Sequence, residues 1–282
     1  MRMTADEFRR WDRKSVTLVG MSGVGKTYLS SRLREAHWFH YSADYRIGTR
    51  YLSEPILDNI KRQAMQVPFL RELLRSDSIY ISNNITVDNL TAVLTFLGKL
   101  GDPALGGLDL VEFKRRQKLY RDAEVSAMLD VPEFIAKAHE IYGYRHFVND
   151  SAGSLCELDD PDVMQVLAEH SLILYIEATE ENGRELLRRA EADPKPLYYR
   201  PAFLDAELAS YMQAKGLREV AEIRPDDFVL WMFPRLFNAR IPRYEAIARD
   251  YGYTIRADVL APVQTEAEFL GCIERMLEAQ PG

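Results

Sequence analysis

Only two cysteines, Cys156 and Cys272, occur in the 282-residue chain. Two are too few for a disulfide framework, and no spaced cysteine or histidine set resembles a metal site, so both are expected to be reduced structural thiols. No apolar run approaches the ~18 residues of a membrane span, and the first fourteen residues alternate charges without the apolar core of a signal peptide. A soluble cytoplasmic protein with no membrane partner is expected. Positive charge is not in excess, with 36 Lys and Arg against 43 Asp and Glu, a net charge of −7. That balance argues against broad nucleic-acid binding and leaves only a local basic patch open. Glycine/serine linkers, low-complexity tracts and internal repeats are absent too, so nothing marks a domain boundary. With 47% hydrophobic residues, the chain is read as a single domain over 1–282 with one core and insertions.

What is present begins with the β-branched run Ser15–Val19, which stops at Gly20 and is followed from Lys26 by a helical pattern with Leu29 and Leu33 on one face. Short apolar runs at 38–42, 144–148, 172–176 and, more weakly, 253–255 predict four further strands. Such runs suit parallel strands covered by helices on both faces, a three-layer α/β fold. Residues 51–142 are far too many for an ordinary α/β connection. Helical patterns at 108–129 and 132–141, among scattered prolines and glycines, predict a largely helical insert over 52–140.

The segment Gly20-Met21-Ser22-Gly23-Val24-Gly25-Lys26-Thr27 has the complete spacing of a phosphate-binding loop. Its glycines free backbone N–H groups to turn toward phosphate oxygens, and the following helix points its positive end at the same charge. Nucleotide contacts are therefore assigned to Gly20, Ser22, Gly23, Val24, Gly25, Lys26, Thr27 and Tyr28. Lys26 is assigned to the terminal phosphates as a catalytic cation and the Thr27 hydroxyl to Mg²⁺. No Asn-Lys-x-Asp guanine motif is present, so ATP is expected.

With this loop in place, other segments resemble the shikimate-kinase-like group of P-loop small-molecule kinases. Ser42-Ala43-Asp44-Tyr45-Arg46-Ile47 is similar to the group's Asp-x-Asp-x-x-Ile, with serine for the first aspartate. Arg188, seven residues before Lys195-Pro196-Leu197, is similar to its lid, with lysine for the lid arginine. Ser151-Ala152-Gly153 stands where the group has a glycine triplet, and Arg240-Ile241-Pro242-Arg243-Tyr244 is similar to the start of its Arg-x-Pro-x-Tyr helix. The matches leave the insert and 198–238 uncovered. A looser likeness to bacterial P-loop ATPases adds no mechanism. The resemblance implies a three-layer P-loop NTPase fold with a lid over 179–205. It also implies a catalytic base at Asp44, a phosphate-closing Lys195, an adenine-stacking Arg188, and acceptor contacts from Asp44, Gly153 and Arg240.

Residue chemistry leaves alternatives beside these roles. Asp44 is also a plausible helix cap or turn residue. Asp150, at the end of the third predicted strand, suits a Mg²⁺ ligand, yet Asn149-Asp150-Ser151 is also ordinary turn composition. Arg184, Arg188 and Arg189, like Lys114, Arg115 and Arg116, otherwise read as solvated helix faces. Arg240 otherwise reads as a surface ion pair. His37 and His40 read as structural histidines. Tyr198, Tyr199, Trp231, Phe233 and Phe237 suit either a pocket or a core. The leading expectation is an ATP- and Mg²⁺-dependent kinase acting on a small-molecule hydroxyl. Its rivals are a nucleotide-gated NTPase that grips a protein partner through the insert, and a nucleoside or nucleic-acid-end kinase.

Overall fold

The structure, a computed structural model, describes residues 2–280. Five strands, β1 (Ser15–Val19), β2 (Trp38–Ser42), β3 (His146–Asp150), β4 (Leu172–Glu177) and β5 (Gly252–Arg256), form one sheet in the order β2-β3-β1-β4-β5. Every pairing is parallel. Parallel strands need crossovers that cover both faces, which explains why β1 and β3 are buried along their whole length. All carboxyl ends share one edge. At that edge β1 lies between β3 and β4, where an open parallel sheet opens its ligand crevice. This is the three-layer P-loop fold.

β3 starts two residues later than the apolar pattern predicts. Gly143 takes a left-handed turn (φ 71°), and the Tyr144 amide is held by the Ala138 carbonyl at 2.9 Å. At the far end Asn149 stays inside the sheet because its amide donates to Thr17 Oγ1 at 3.3 Å. That bond offsets part of the cost of burying the amide, whose Oδ1 has no hydrogen-bond partner, and the strand continues to Asp150.

The helices in chain order are α1 (Ala5–Arg10), α2 (Lys26–Glu35), α3 (Ala43–Arg46), α4 (Ser53–Ala64), α5 (Pro68–Arg75), α6 (Thr91–Leu97), α7 (Leu110–Leu129), α8 (Val131–Glu140), α9 (Pro161–His170), α10 (Glu180–Ala192), α11 (Pro201–Lys215), α12 (Pro225–Tyr251), α13 (Ala257–Leu260) and α14 (Glu266–Ala279). Helices α4 to α8 occupy most of 52–140. The longest of them, α7, begins at the Asp109 cap, whose side chain accepts from the Glu112 amide at 2.9 Å. Its buried stripe runs through Phe113, Arg116, Gln117, Tyr120, Glu124 and Met128. That helical spacing carries α7 from a second core to the sheet edge.

The second core joins the insert to the stretch the resemblance left uncovered. Phe113 and Leu100 pack with Tyr199, Leu204, Leu208, Tyr211, Phe228 and Met232. Fully burying side chains of this size stabilises by roughly 1.5–3 kcal/mol each. Helix α12 spans 27 residues with Pro234 and Pro242 inside it. Arg240 therefore lies well within a helix, and the expected helix start at Arg-x-Pro is corrected. Each proline removes one N–H from the ladder, while α12 buries Phe228, Leu236, Tyr244 and Ile247 along its length. That packing offsets the lost bonds. Among the described residues no helix is long and apolar enough to cross a membrane.

Candidate active site

The loop after β1 meets α2 at Gly25, whose φ of 103° suits glycine and which caps the helix without any side chain. The first-turn N–H groups of α2 are thus left to a ligand, and no acidic residue occupies that turn. The geometry fits a phosphate. Lys26 is buried, and its Nζ donates to the Gly20 carbonyl at 2.7 Å and to the Met21 carbonyl at 3.0 Å. Burial pushes the ammonium pKa down, and Asp150 and Asp44 oppose that shift. The Val24 amide closes the loop on the Met21 carbonyl at 3.4 Å.

A cavity of about 250 Å³ opens against this loop. Ser22, Gly23, Gly25, Lys26, Thr27, Tyr28, Asp44, Asp150, Ser151 and Gly153 line it, and Gly20 lies at the base of the same loop. Sheet topology brings these residues together, since Thr27 follows β1, Asp44 follows β2 and Asp150 ends β3. Thr27 and Asp150 offer one hydroxyl and one carboxylate. That donor set fits Mg²⁺, which commonly keeps several waters and binds through one or two carboxylates plus phosphate oxygens. The His40 Nε2 lies 3.6 Å from Asp150 Oδ2, both side chains being almost fully buried.

Asp44 sits in the first turn of α3, which is capped by the Ser42 hydroxyl accepting from the Tyr45 amide. Ser42, which stands in place of the resemblance's first aspartate, is thus the cap, leaving the Asp44 carboxylate free of that duty. Burial, reinforced by Asp150, pushes Asp44 up to about 6, opposed by Lys26 and by the hydrogen bond from Tyr120. That bond, Tyr120 Oη to Asp44 Oδ1, spans 3.3 Å.

Tyr120 and Glu124 on α7 were not singled out by sequence. Glu124 is fully buried and accepts from Ser154 Oγ at 2.5 Å, while its second oxygen, Oε1, has no protein partner. Burial pushes it up to about 8, opposed by the Ser154 bond. The available signal was a line of polar residues, Arg116, Gln117, Tyr120 and Glu124, at three- and four-residue spacing along the apolar stripe of one helix. Arg116 corrects the solvated-face reading, being buried and donating to the Phe96 carbonyl and Asn59 Oδ1. Lys114 and Arg115 remain half exposed and paired with Asp205 and Glu112.

Arg188 and Lys195 lie across the loop. With Ser22, Gly23, Leu186 and Phe233 they line a second cavity of about 440 Å³. Both are exposed, at 68% and 62%, with Arg188 on Glu185 and Lys195 beside Asp193. Arg240 is buried, and its two terminal nitrogens donate to the carbonyls of Gly153 and Tyr198, each at 2.9 Å. Its charge faces Glu157 at 3.6 Å, so it is not a surface ion pair. Gly153 packs so closely on the loop that an added Cβ would fall 2.6 Å from the Ser22 amide nitrogen. Gly153→Ala is therefore expected to displace the loop and weaken binding of a phosphate-bearing ligand there by about 10- to 100-fold, read by titration with fluorescent nucleotide analogues.

No family model and no curated protein matches this chain. Among solved structures it is similar to a shikimate kinase from Bacteroides thetaiotaomicron, at 14% identity and a TM-score of 0.40, covering 94% of this chain and 97% of that one. It is also similar to the shikimate kinase from Acinetobacter baumannii in complex with shikimate, at 14% identity and a TM-score of 0.43, covering 99% of each chain. A likeness this distant carries no statement about ligand or reaction.

Proposed function

We propose that the protein is an ATP-dependent kinase that transfers the γ-phosphate to a hydroxyl of a small molecule. The observation that supports this reading is the convergence of the uncapped α2 terminus, Lys26, Thr27, Asp150 and Asp44 on one cavity. Phosphoryl transfer needs cations, a metal-holding oxygen set and one carboxylate near the acceptor, and little covalent chemistry from the protein.

Thr27 and Asp150 would hold Mg²⁺, which when bound neutralises charge on the phosphate oxygens. The loop amides orient the phosphates, and the Lys26 ammonium, released from the Gly20 and Met21 carbonyls, faces the terminal ones. Asp44 accepts the proton of the acceptor hydroxyl as phosphate is transferred. Arg188 and Lys195, on the lid side, shield the nucleotide from water when that segment closes.

The test is transfer of labelled γ-phosphate from ATP with Mg²⁺ into a small-molecule cell extract, comparing the intact protein with Lys26→Ala. A labelled product made by the intact protein alone is expected. Loss of the charge-assisted contacts of Lys26 should weaken nucleotide binding by roughly 10- to 100-fold. Unchanged binding and transfer in Lys26→Ala would overturn the assignment.

One observation favours a second reading, a nucleotide-gated NTPase whose insert grips a protein. Helix α5 buries none of its residues, and its Phe69 is 72% exposed. Release of inorganic phosphate without any labelled metabolite, with nucleotide-dependent protease protection of residues 52–140, would select it.

A further inference from the structure

We propose that Tyr120, on the long insert helix α7, is a positioning residue that fixes which oxygen of Asp44 is offered to the acceptor hydroxyl. The proposal rests on the kinase reading above, in which Asp44 is the base, and gives the insert a part in the chemistry.

Geometry carries it. Tyr120 is buried and lines neither of the cavities beside the phosphate loop, so its route to the chemistry runs through another side chain. That side chain is Asp44, which lines the phosphate cavity and whose Oδ1 accepts from Tyr120 Oη at 3.3 Å. Among the described residues no hydrogen bond holds Oδ2. The terminal torsion of an aspartate is broad and two-fold, so an untethered carboxylate turns and presents either oxygen. One donor on Oδ1 removes that freedom and leaves Oδ2 for the acceptor. Burial holds the Tyr120 phenol well above its ordinary pKa, so it stays a donor.

The donor is itself fastened from two sides. Its ring stacks on Tyr198, with centroids 5.7 Å apart and planes at 25°. One turn earlier on the same face of α7, Gln117 donates to the Leu197 carbonyl at 3.1 Å and accepts from the Tyr199 amide at 2.8 Å. Helix α7 is thus tied to the stretch between α10 and α11, and it packs on α3, which carries Asp44. The bond also acts on charge, since a donor on a carboxylate favours its ionised form. The groups facing Asp44 are Asp150 from β3, Lys26 from α2, and Tyr120 and Glu124 from α7. Burial and Asp150 raise its pKa, and Lys26 and the Tyr120 bond lower it. Glu124, pushed up to about 8 by burial, is largely protonated at neutral pH and adds little charge. Without the Tyr120 hydroxyl, Asp44 is both less well aimed and harder to ionise.

The experiment compares Tyr120→Phe with the intact full-length protein in transfer of labelled γ-phosphate from ATP, with Mg²⁺, into a fixed amount of small-molecule cell extract. Phenylalanine keeps the ring on Tyr198 and loses only the donor. At pH 8, where Asp44 is largely ionised in both proteins, the transfer rate should fall about tenfold with the KM for ATP within about twofold. The acid limb of the pH profile should move up by about one pH unit. In an Asp44→Asn background the same change should cost nothing further, because the group it aims has lost its role. A carboxyl-carbon NMR titration, with the Asp44 signal identified by its loss in Asp44→Asn, should show the same upward move without any turnover. An unchanged rate and acid limb in Tyr120→Phe, an unmoved Asp44 titration, or an equal loss in the Asp44→Asn background each overturns the proposal and leaves the kinase reading standing. No labelled product from the intact protein overturns the kinase reading itself, and the role of Tyr120 with it.

Discussion

Asp44→Asn is expected to lower the rate of phosphate transfer by about 10²- to 10⁴-fold while the affinity for ATP stays within about threefold. Asparagine keeps the shape at the start of α3 and loses only the ability to take a proton. The helix itself should survive, because its cap is Ser42. The pH profile tests the same role. Asp44 must be ionised to act as base, and its carboxyl is pushed up to about 6 by burial and by Asp150, with Lys26 and the Tyr120 hydroxyl opposing. Activity should therefore be present above pH 6 and fall below it, as an acid limb in kcat/KM, which reports the free enzyme. Stability follows the opposite sign. The folded state retains this proton between about pH 4 and 6, where an unfolded Asp has lost it, so Asp44 becomes a burden as pH rises through that window. Asp44→Asn is thus expected to melt higher than the intact protein at pH 8, with the difference shrinking below pH 6. Full transfer activity in the asparagine variant would remove Asp44 from the chemistry.

What the sequence made legible divides along a physical line. β1 is found at its expected limits because a fully covered parallel strand is a nearly continuous apolar run, β2 at the sheet edge because its aromatics bound a short run, and the phosphate loop is local in sequence, its glycine spacing, strand and helix all being contiguous. The apolar run stops at Val148, two residues short of the end of β3, because Asn149 and Asp150 are polar residues whose side chains meet Thr17 on β1 and His40 on β2, although Asp150 reads as the end of that strand from sequence. The acceptor side was not legible. Glu124 reaches the site only because α7 folds back over α3, and its partner Ser154 comes from after β3. The second core has the same origin, since Phe113 meets Tyr199 across 86 residues of chain at 6.3 Å between ring centroids. Arg240 was legible as a residue of note. Its surroundings were not, because they are two backbone carbonyls and a glutamate from other segments.

Loss of Glu157 should cost the fold heavily. Its side chain is completely buried in the turn after β3, with Arg200 at 2.7 Å, Arg240 at 3.6 Å and Arg243 at 4.0 Å. Those arginines come from the start of α11 and from α12, so one carboxylate joins the post-β3 turn, the end of the lid segment and the longest helix. Removing one partner of a buried ion pair leaves an uncompensated charge, which costs about 3–5 kcal/mol. Glu157→Ala is accordingly expected to lower the melting temperature by roughly 10 °C and to free Arg240 from its hold on the Gly153 and Tyr198 carbonyls, loosening the phosphate loop that Gly153 abuts. A double variant separates charge from packing. If the uncompensated guanidinium is the cause, Glu157→Met combined with Arg240→Met should be markedly more stable than the sum of the two single losses predicts, because well-packed apolar pairs replace buried ion pairs at little cost. Additive losses would instead mean that Arg240 acts mainly through the two carbonyls it holds.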